Sequence, residues 1–149
     1  MLAKLTWARM ENMEGVNYVS QPAPEQATNG AAGLDIRAAT SMTLKPGKVS
    51  MIPTGWGVEL PLGYEMQVRP RSSMAKEGLI IPNSPGTIDS DYRGEICVLM
   101  MPLGNKSVTI NAGDRIAQAV VCAVADTYNV FGELGKTLRG SGGFGSTGV

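Results

Sequence analysis

The chain has 149 residues, 43% of them hydrophobic, with thirteen basic side chains against thirteen acidic ones and no histidine. That length and apolar content predict one domain over residues 1–149 with its own core, and the balanced charge offers no sequence-wide field to hold nucleic acid or an anionic membrane. The missing histidine excludes every Ser-His or Cys-His nucleophile pair and every imidazole-bearing zinc site, which leaves carboxylates, hydroxyls, backbone groups and Arg or Lys to carry chemistry. Cys97 and Cys122 both lie in apolar runs and are expected to be small core hydrophobes in a reducing compartment. Lys4 and Arg9 interrupt the first ten residues, so the start is not expected to be a signal peptide. No later run approaches a membrane span, and the expected location is the cytoplasm.

The 19 glycines and 9 prolines punctuate short apolar or alternating segments at roughly the 8–12-residue spacing of an all-β sandwich or barrel. In chain order the predicted strands are Leu2–Arg9, Asp35–Ala38, Met42–Leu44, Lys48–Ile52, Trp56–Leu60, Tyr64–Val68, Glu95–Met101, Ser107–Ile110 and Arg115–Val124. Lys45-Pro46-Gly47-Lys48 and Pro61-Leu62-Gly63-Tyr64 are read as tight reversals, with Pro where φ is already fixed and Gly where φ turns positive. One helical turn is predicted over Ser73–Glu77, capped by a hydroxyl at its start and ended by Gly78. Ile116–Val124 is almost wholly apolar, as in a strand covered on both faces, yet it holds Gln118, whose amide needs partners. Asp126–Leu138 is a connector without period. From about residue 136 the chain is an arm whose glycines lose the most backbone entropy on ordering, so it is expected to be flexible until something binds.

Five segments offer chemistry, each with a bland alternative. Arg139-Gly140-Ser141-Gly142-Gly143-Phe144-Gly145-Ser146-Thr147 is either a floppy terminus or a phosphate wrap, since Arg, Ser, Thr and backbone N–H groups all donate to phosphate oxygens. It is not a P-loop: Gly140 and Gly145 have the right gap, but Ser146 stands where the lysine is required. Gly86-Thr87-Ile88-Asp89-Ser90-Asp91-Tyr92-Arg93-Gly94 sets two carboxylates two apart, on one side of an extended segment, unless they cap a hairpin turn. Arg69-Pro70-Arg71-Ser72-Ser73 leads two arginines into a short helix start, an anion site or a solvated basic turn. Gly33-Leu34-Asp35-Ile36-Arg37 puts a carboxylate in a strand. Gly113-Asp114-Arg115-Ile116-Ala117-Gln118 completes the set.

In this order, from Ala32-Gly33-Leu34-Asp35-Ile36 to the arm, the five segments resemble the five-motif pattern of the trimeric dUTP diphosphatase (dUTPase) family, across about Asn29 to Gly148. The resemblance implies an all-β, jelly-roll-like distorted barrel with one short helix. It also implies Mg²⁺-dependent hydrolysis of dUTP between its α and β phosphates to dUMP and pyrophosphate, which keeps uracil out of DNA and supplies dUMP for thymidylate synthesis. By the resemblance, Asp89 is the catalytic carboxylate that orients and deprotonates water, Asp91 supports the hairpin, and the Tyr92 ring excludes a ribose 2′-hydroxyl. Asn83 and the backbone of Gly86, Thr87 and Ile88 read uracil and leave no space for a 5-methyl group. Arg71, Ser72 and Ser73 face the phosphates as the leaving group gains charge, and Gln118 contacts phosphate or water. Asp35 holds the water shell of a magnesium ion ligated mainly by phosphate, with no protein metal cage expected. Arg139, Phe144, Gly145, Ser146 and Thr147 form a lid, Phe144 stacking on uracil. Each site is implied to draw on three chains of a homotrimer.

Two departures and two rivals bear on this. Ser73 stands where many members have Gly, and Pro82 and Pro85 stiffen the approach to the hairpin around Asn83. A sister family with the same fold deaminates dCTP and shares Arg71-Ser72-Ser73, but it uses a glutamate in place of the aspartate hairpin and lacks the Asp-x-Asp-Tyr run found at Asp89–Tyr92. Regulatory members of the dUTPase family act through protein partners and usually carry an inserted segment; this chain is compact.

Overall fold

The computed structural model describes residues 2–146 and 148. Among the described residues the regular elements are all β-strands but one: β1 (Thr6–Arg9), β2 (Glu25–Gln26), β3 (Leu34–Arg37), β4 (Met42–Leu44), β5 (Ser50–Pro53), β6 (Trp56–Glu59), β7 (Tyr64–Pro70), β8 (Leu79–Ile80), β9 (Gly86–Ile88), β10 (Cys97–Pro102), β11 (Val108–Ile110) and β12 (Arg115–Ala123), with a short helix, α1 (Ser72–Lys76), between β7 and β8. They form sheets ordered β2-β3-β12-β7-β9, β5-β10-β8, β1-β6 and β11-β4, and the strand pairs are antiparallel. Their inward faces close on one cluster that includes Ile36, Leu44, Ile52, Met66, Val98, Met100, Ile110 and Ile116, giving the jelly-roll-like barrel. Each of these large side chains fully removed from water contributes about 1.5–3 kcal/mol of transfer free energy.

The predicted reversals form as read. Lys48 N–H donates to the Lys45 carbonyl at 3.2 Å and Tyr64 N–H to the Pro61 carbonyl at 3.2 Å, with Gly47 at φ +66° and Gly63 at φ +85°, values that a side chain would oppose. β7 alternates its faces: Met66 and Val68 are buried while Glu65, Gln67 and Arg69 are half-exposed, and Arg69 donates to the Gln67 side chain, which donates to Glu65. β12 lies between β3 and β7. A register shift between Arg115 and Ala117 is a bulge that lets consecutive Ile116 and Ala117 both face the core.

The structure departs from the sequence reading at several points. The first strand is only Thr6–Arg9, and β2, β8 and β9, each of two or three residues, were not foreseen because so short a run shows no period. The helix begins at Ser72, and Arg71 is its N-cap, with no side-chain hydrogen bond to the free N–H groups; the expected hydroxyl cap is absent because Ser73 Oγ instead accepts from Arg71 Nη1 at 3.2 Å. β12 is not covered on both faces: Val120, Val121 and Cys122 are half-buried. Both thiols are free and half-buried rather than core residues. Among the described residues no helix is long and apolar enough to cross a membrane.

Candidate active site

The end of β7 gathers one set of groups. Sheet register sets Asp35 opposite Gln118 and Gln118 opposite Arg69, and Arg71 follows β7 directly, so three of the segments meet without help from any loop. Arg71 Nε donates to Asp35 Oδ1 at 3.1 Å, and Arg115 Nη1 to Asp35 Oδ2 at 3.0 Å. Asp35 is 16% exposed, so this is a partly desolvated triad rather than a surface pair. Arg71 Nη1 also donates to the Arg115 carbonyl at 3.2 Å, while its Nη2 donors meet no acceptor among the described residues. Gln118 Nε2 donates to the Pro70 carbonyl at 2.9 Å, which answers how an apolar strand carries an amide. Asp35, Arg71, Ser72, Arg115 and Gln118 line a cavity of about 370 Å³ beside Gly33; Ser72 is exposed, and Ser73, also exposed, is not part of the lining.

The other set lies at the opposite end of the same strand. β9 pairs with β7 through Gly86 opposite Val68, Thr87 opposite Gln67 and Ile88 opposite Met66, so Asp89 emerges beside Glu65. β9 ends the five-stranded sheet, which leaves the backbone groups of its outer edge without a strand partner. Asp89 and Asp91 do not share one side of an extended segment: Tyr92 N–H donates to the Asp89 carbonyl at 3.1 Å, closing a turn. Nor do β9 and β10 form a two-stranded hairpin, because β10 pairs with β5 and β8; the turn carries the chain from one sheet to another. Asn83, Thr87, Ile88, Asp89 and Tyr92 line a cavity whose far wall is Met51, Cys97 and Leu99. The Tyr92 phenol donates to the Glu95 carbonyl at 2.9 Å, and the ring stays 42% exposed.

Within one chain Asp89 and Arg71 are far apart, whereas Gly86, opposite Val68, is nearer, and Ser84 and Pro85 line a second cavity together with Arg71 and Ser72. Glu65 and Arg71 are six strand residues from each other, roughly 20 Å at about 3.3 Å per residue. The arm joins neither. Among the described residues Arg139, Gly140 and Gly142 are tied only to one another and to Thr137, Ser146 N–H returns to the Gly143 carbonyl, Phe144 is fully exposed, and Gly145 is exposed. Thr147 lies outside the described residues.

Three features were missed in the sequence. Arg115 is the second guanidinium on Asp35; its place in a recurring segment was visible, but not its partner. Met51, Cys97 and Leu99 come from strands that no local pattern connects to Asn83. Glu95 is buried, 5% exposed, and its signal was a charge opening an apolar strand. Burial first, and then the hydrogen bond and charge of Glu95, push the Tyr18 phenol up to about 12. Burial and the same charge push the Cys97 thiol up to about 11.

The comparisons agree on a single family. The dUTPase family model matches residues 20–148. The chain is 54% identical over 134 residues to the deoxyuridine 5'-triphosphate nucleotidohydrolase of Caulobacter vibrioides, covering 86% of each protein, and 49% identical over 141 residues to the enzyme of the same name from Desulfotalea psychrophila, covering 92% and 94%. Among solved structures, it is similar to the dUTPase of Streptococcus mutans, with a TM-score of 0.68 at 30% identity over 71% of this chain and 88% of that one. The dUTPase of Staphylococcus bacteriophage 80alpha with dUPNHPP shares the fold at a TM-score of 0.80 and 24% identity, over 98% and 99%.

Proposed function

The chain belongs to the dUTPase family, and from that premise we propose that it hydrolyses dUTP between the α and β phosphates to dUMP and pyrophosphate, as a homotrimer in the cytoplasm. The observation that carries the reading is the sorting of groups along β7. An arginine whose Nη2 donors have no acceptor among the described residues and a serine hydroxyl stand at one end; an exposed carboxylate and a tyrosine stand toward the other, where an edge strand leads. Neither set is a hydrolase site alone, and roughly 20 Å of strand separates Arg71 from Asp89, so the reading takes Arg71 and Ser72 from one subunit, Asp89 and Tyr92 from a second, and the arm from a third.

In this mechanism Asp89 accepts a proton from the water that attacks the α-phosphorus, as a carboxylate must where no imidazole exists. Arg71 Nη2 and the Ser72 hydroxyl donate to the bridging and β-phosphate oxygens, where charge grows as the bond breaks. The Asp35 pair aims that guanidinium, and Gln118, anchored on Pro70, presents its carbonyl to the same cavity. The outer edge of β9 offers backbone N–H and C=O groups to the uracil edge, with Asn83 beside them. A complementary edge rejects cytosine because its own polar groups would be left unpaired. Tyr92 lies under the deoxyribose. Arg139, Phe144, Ser146 and Thr147 close over the triphosphate, so the cost of ordering the arm is met only with substrate present.

Magnesium fits through water rather than by direct ligation. No group of three or more His, Cys, Asp or Glu is placed to hold a metal among the described residues, and each Asp35 oxygen already accepts from a guanidinium. A triphosphate-bound Mg²⁺, which lowers the charge of the anion and fixes its oxygens, would meet Asp35 through its water shell. Ion-exchange analysis of products from dUTP, dCTP, dTTP and UTP with magnesium tests the proposal. The expected result is dUMP and pyrophosphate from dUTP alone; a uracil nucleotide made from dCTP, or no product from dUTP, overturns it.

A further inference from the structure

Glu95 is a buried carboxylate that the mechanism above does not use, and three backbone or side-chain donors distant in sequence converge on it. Gly55 N–H donates to Oε1 at 2.8 Å, Asn12 N–H to Oε2 at 3.1 Å, and the Tyr18 phenol to Oε2 at 2.6 Å. Tyr18 in turn accepts from Met13 N–H at 3.0 Å. The next residue is fixed as firmly: Ile96 N–H donates to the Trp56 carbonyl at 2.8 Å, and its carbonyl accepts from Thr54 Oγ1 at 2.7 Å. The segment is therefore held on both sides, by charge-assisted bonds to the Glu95 carboxylate and by neutral bonds to the backbone of Ile96.

That backbone is what the Tyr92 ring rests on. Its phenol donates to the Glu95 carbonyl, and its ring lies so close over Gly94 that a β-carbon there would overlap it, with Tyr92 Cε2 at 2.9 Å. Gly94 lies against the hydroxyl end of the ring and Glu95 holds the hydroxyl itself, while the residue remains 42% exposed. The strap from Asn12 to Tyr18 precedes residue 20, where the family model begins to match, yet it reaches the ring through a single carboxylate.

We propose that Gly94 and Glu95 are positioning residues for sugar discrimination, and that the Asn12–Tyr18 strap sets the tilt of Tyr92 through the Glu95 carboxylate. The inference rests on Tyr92 being the group that excludes ribose. A ring that tilts away admits a 2′-hydroxyl, so disturbing its support alters the preference for dUTP over UTP more than it alters turnover of dUTP.

The test is the ratio of kcat/KM for dUTP to that for UTP in Tyr18→Phe, Glu95→Gln, Gly94→Ala and Tyr92→Ala, each with its melting temperature. Tyr18→Phe and Glu95→Gln should lower the ratio by about threefold to tenfold while kcat on dUTP stays within about twofold, and Gly94→Ala should lower it by more than about tenfold. General loosening of the fold would slow both substrates together and leave the ratio unchanged. If Glu95→Gln does not fold, Tyr18→Phe tests the same contact from the strap. A ratio that falls in Tyr92→Ala but holds in Tyr18→Phe and Gly94→Ala overturns the positioning role alone. A ratio that holds in Tyr92→Ala overturns the sugar-gate reading and this inference with it.

Discussion

Arg71→Ala and Asp89→Asn chains should each be nearly inactive, and assembling them together should restore activity. A general base must come within about 3 Å of the water whose proton it takes, and Arg71 must reach the bridging oxygen that leaves the phosphorus which that water attacks. The roughly 20 Å of β7 between their positions in one chain cannot meet both demands. If Arg71 and Asp89 of a site come from different subunits, random mixing of equal amounts gives half the sites an intact Arg71, and half of those an intact Asp89. That quarter of all sites lies wholly in the mixed trimers, each with one intact site of its three, so the purified mixed assemblies should reach about a third of wild-type activity, far above either parent. The assay is dUTP hydrolysis by doubly tagged, co-expressed assemblies purified over both tags. Activity no higher than that of the parents would falsify the shared site, since a site built within one chain is never whole in such a mixture.

Asp89→Asn alone should lower turnover by about 10²- to 10⁴-fold, the usual worth of a positioned base, with binding of a non-hydrolysable dUTP analogue retained in calorimetry; a loss under about tenfold removes Asp89 from the proton-accepting role. Deleting residues 139–149 should abolish hydrolysis yet move the melting temperature by about 2 °C or less, because the hydrogen bonds of Arg139, Gly140, Gly142 and Ser146 are local; a larger fall makes the arm part of the fold. The Cys97 thiol, pushed from 9.0 to about 11 by burial and then by Glu95, should react with N-ethylmaleimide at pH 8 roughly a hundredfold more slowly than an ordinary thiol, and speed up about tenfold per pH unit toward pH 11, since only the thiolate attacks. Mass mapping that finds Cys97 labelled at the ordinary rate at pH 8 contradicts that environment.

Much of this protein is legible in its sequence. Alternation and turn residues are local properties: Met42–Leu44 was read to the residue, and the reversals at Gly47 and Gly63 follow from the φ each needs. The five chemistry-bearing segments, and the demand of Gln118 for a partner, were equally visible, because they depend on residue type and order. Pairing is not local. That β9 lies beside β7 rather than beside β10 follows from how two sheets cover one core, and it alone turns the Asp89–Tyr92 segment into a crossover between sheets. The same pairing sends Asp89 to one end of β7 while Arg71 stands at the other, so the separation of these two residues within one chain is a property of sheet register. Glu95 shows the limit most clearly. A glutamate at the head of an apolar strand is an oddity in sequence, and only tertiary packing brings Asn12, Tyr18 and Gly55 to its two oxygens, because a buried charge has to find donors wherever the fold supplies them.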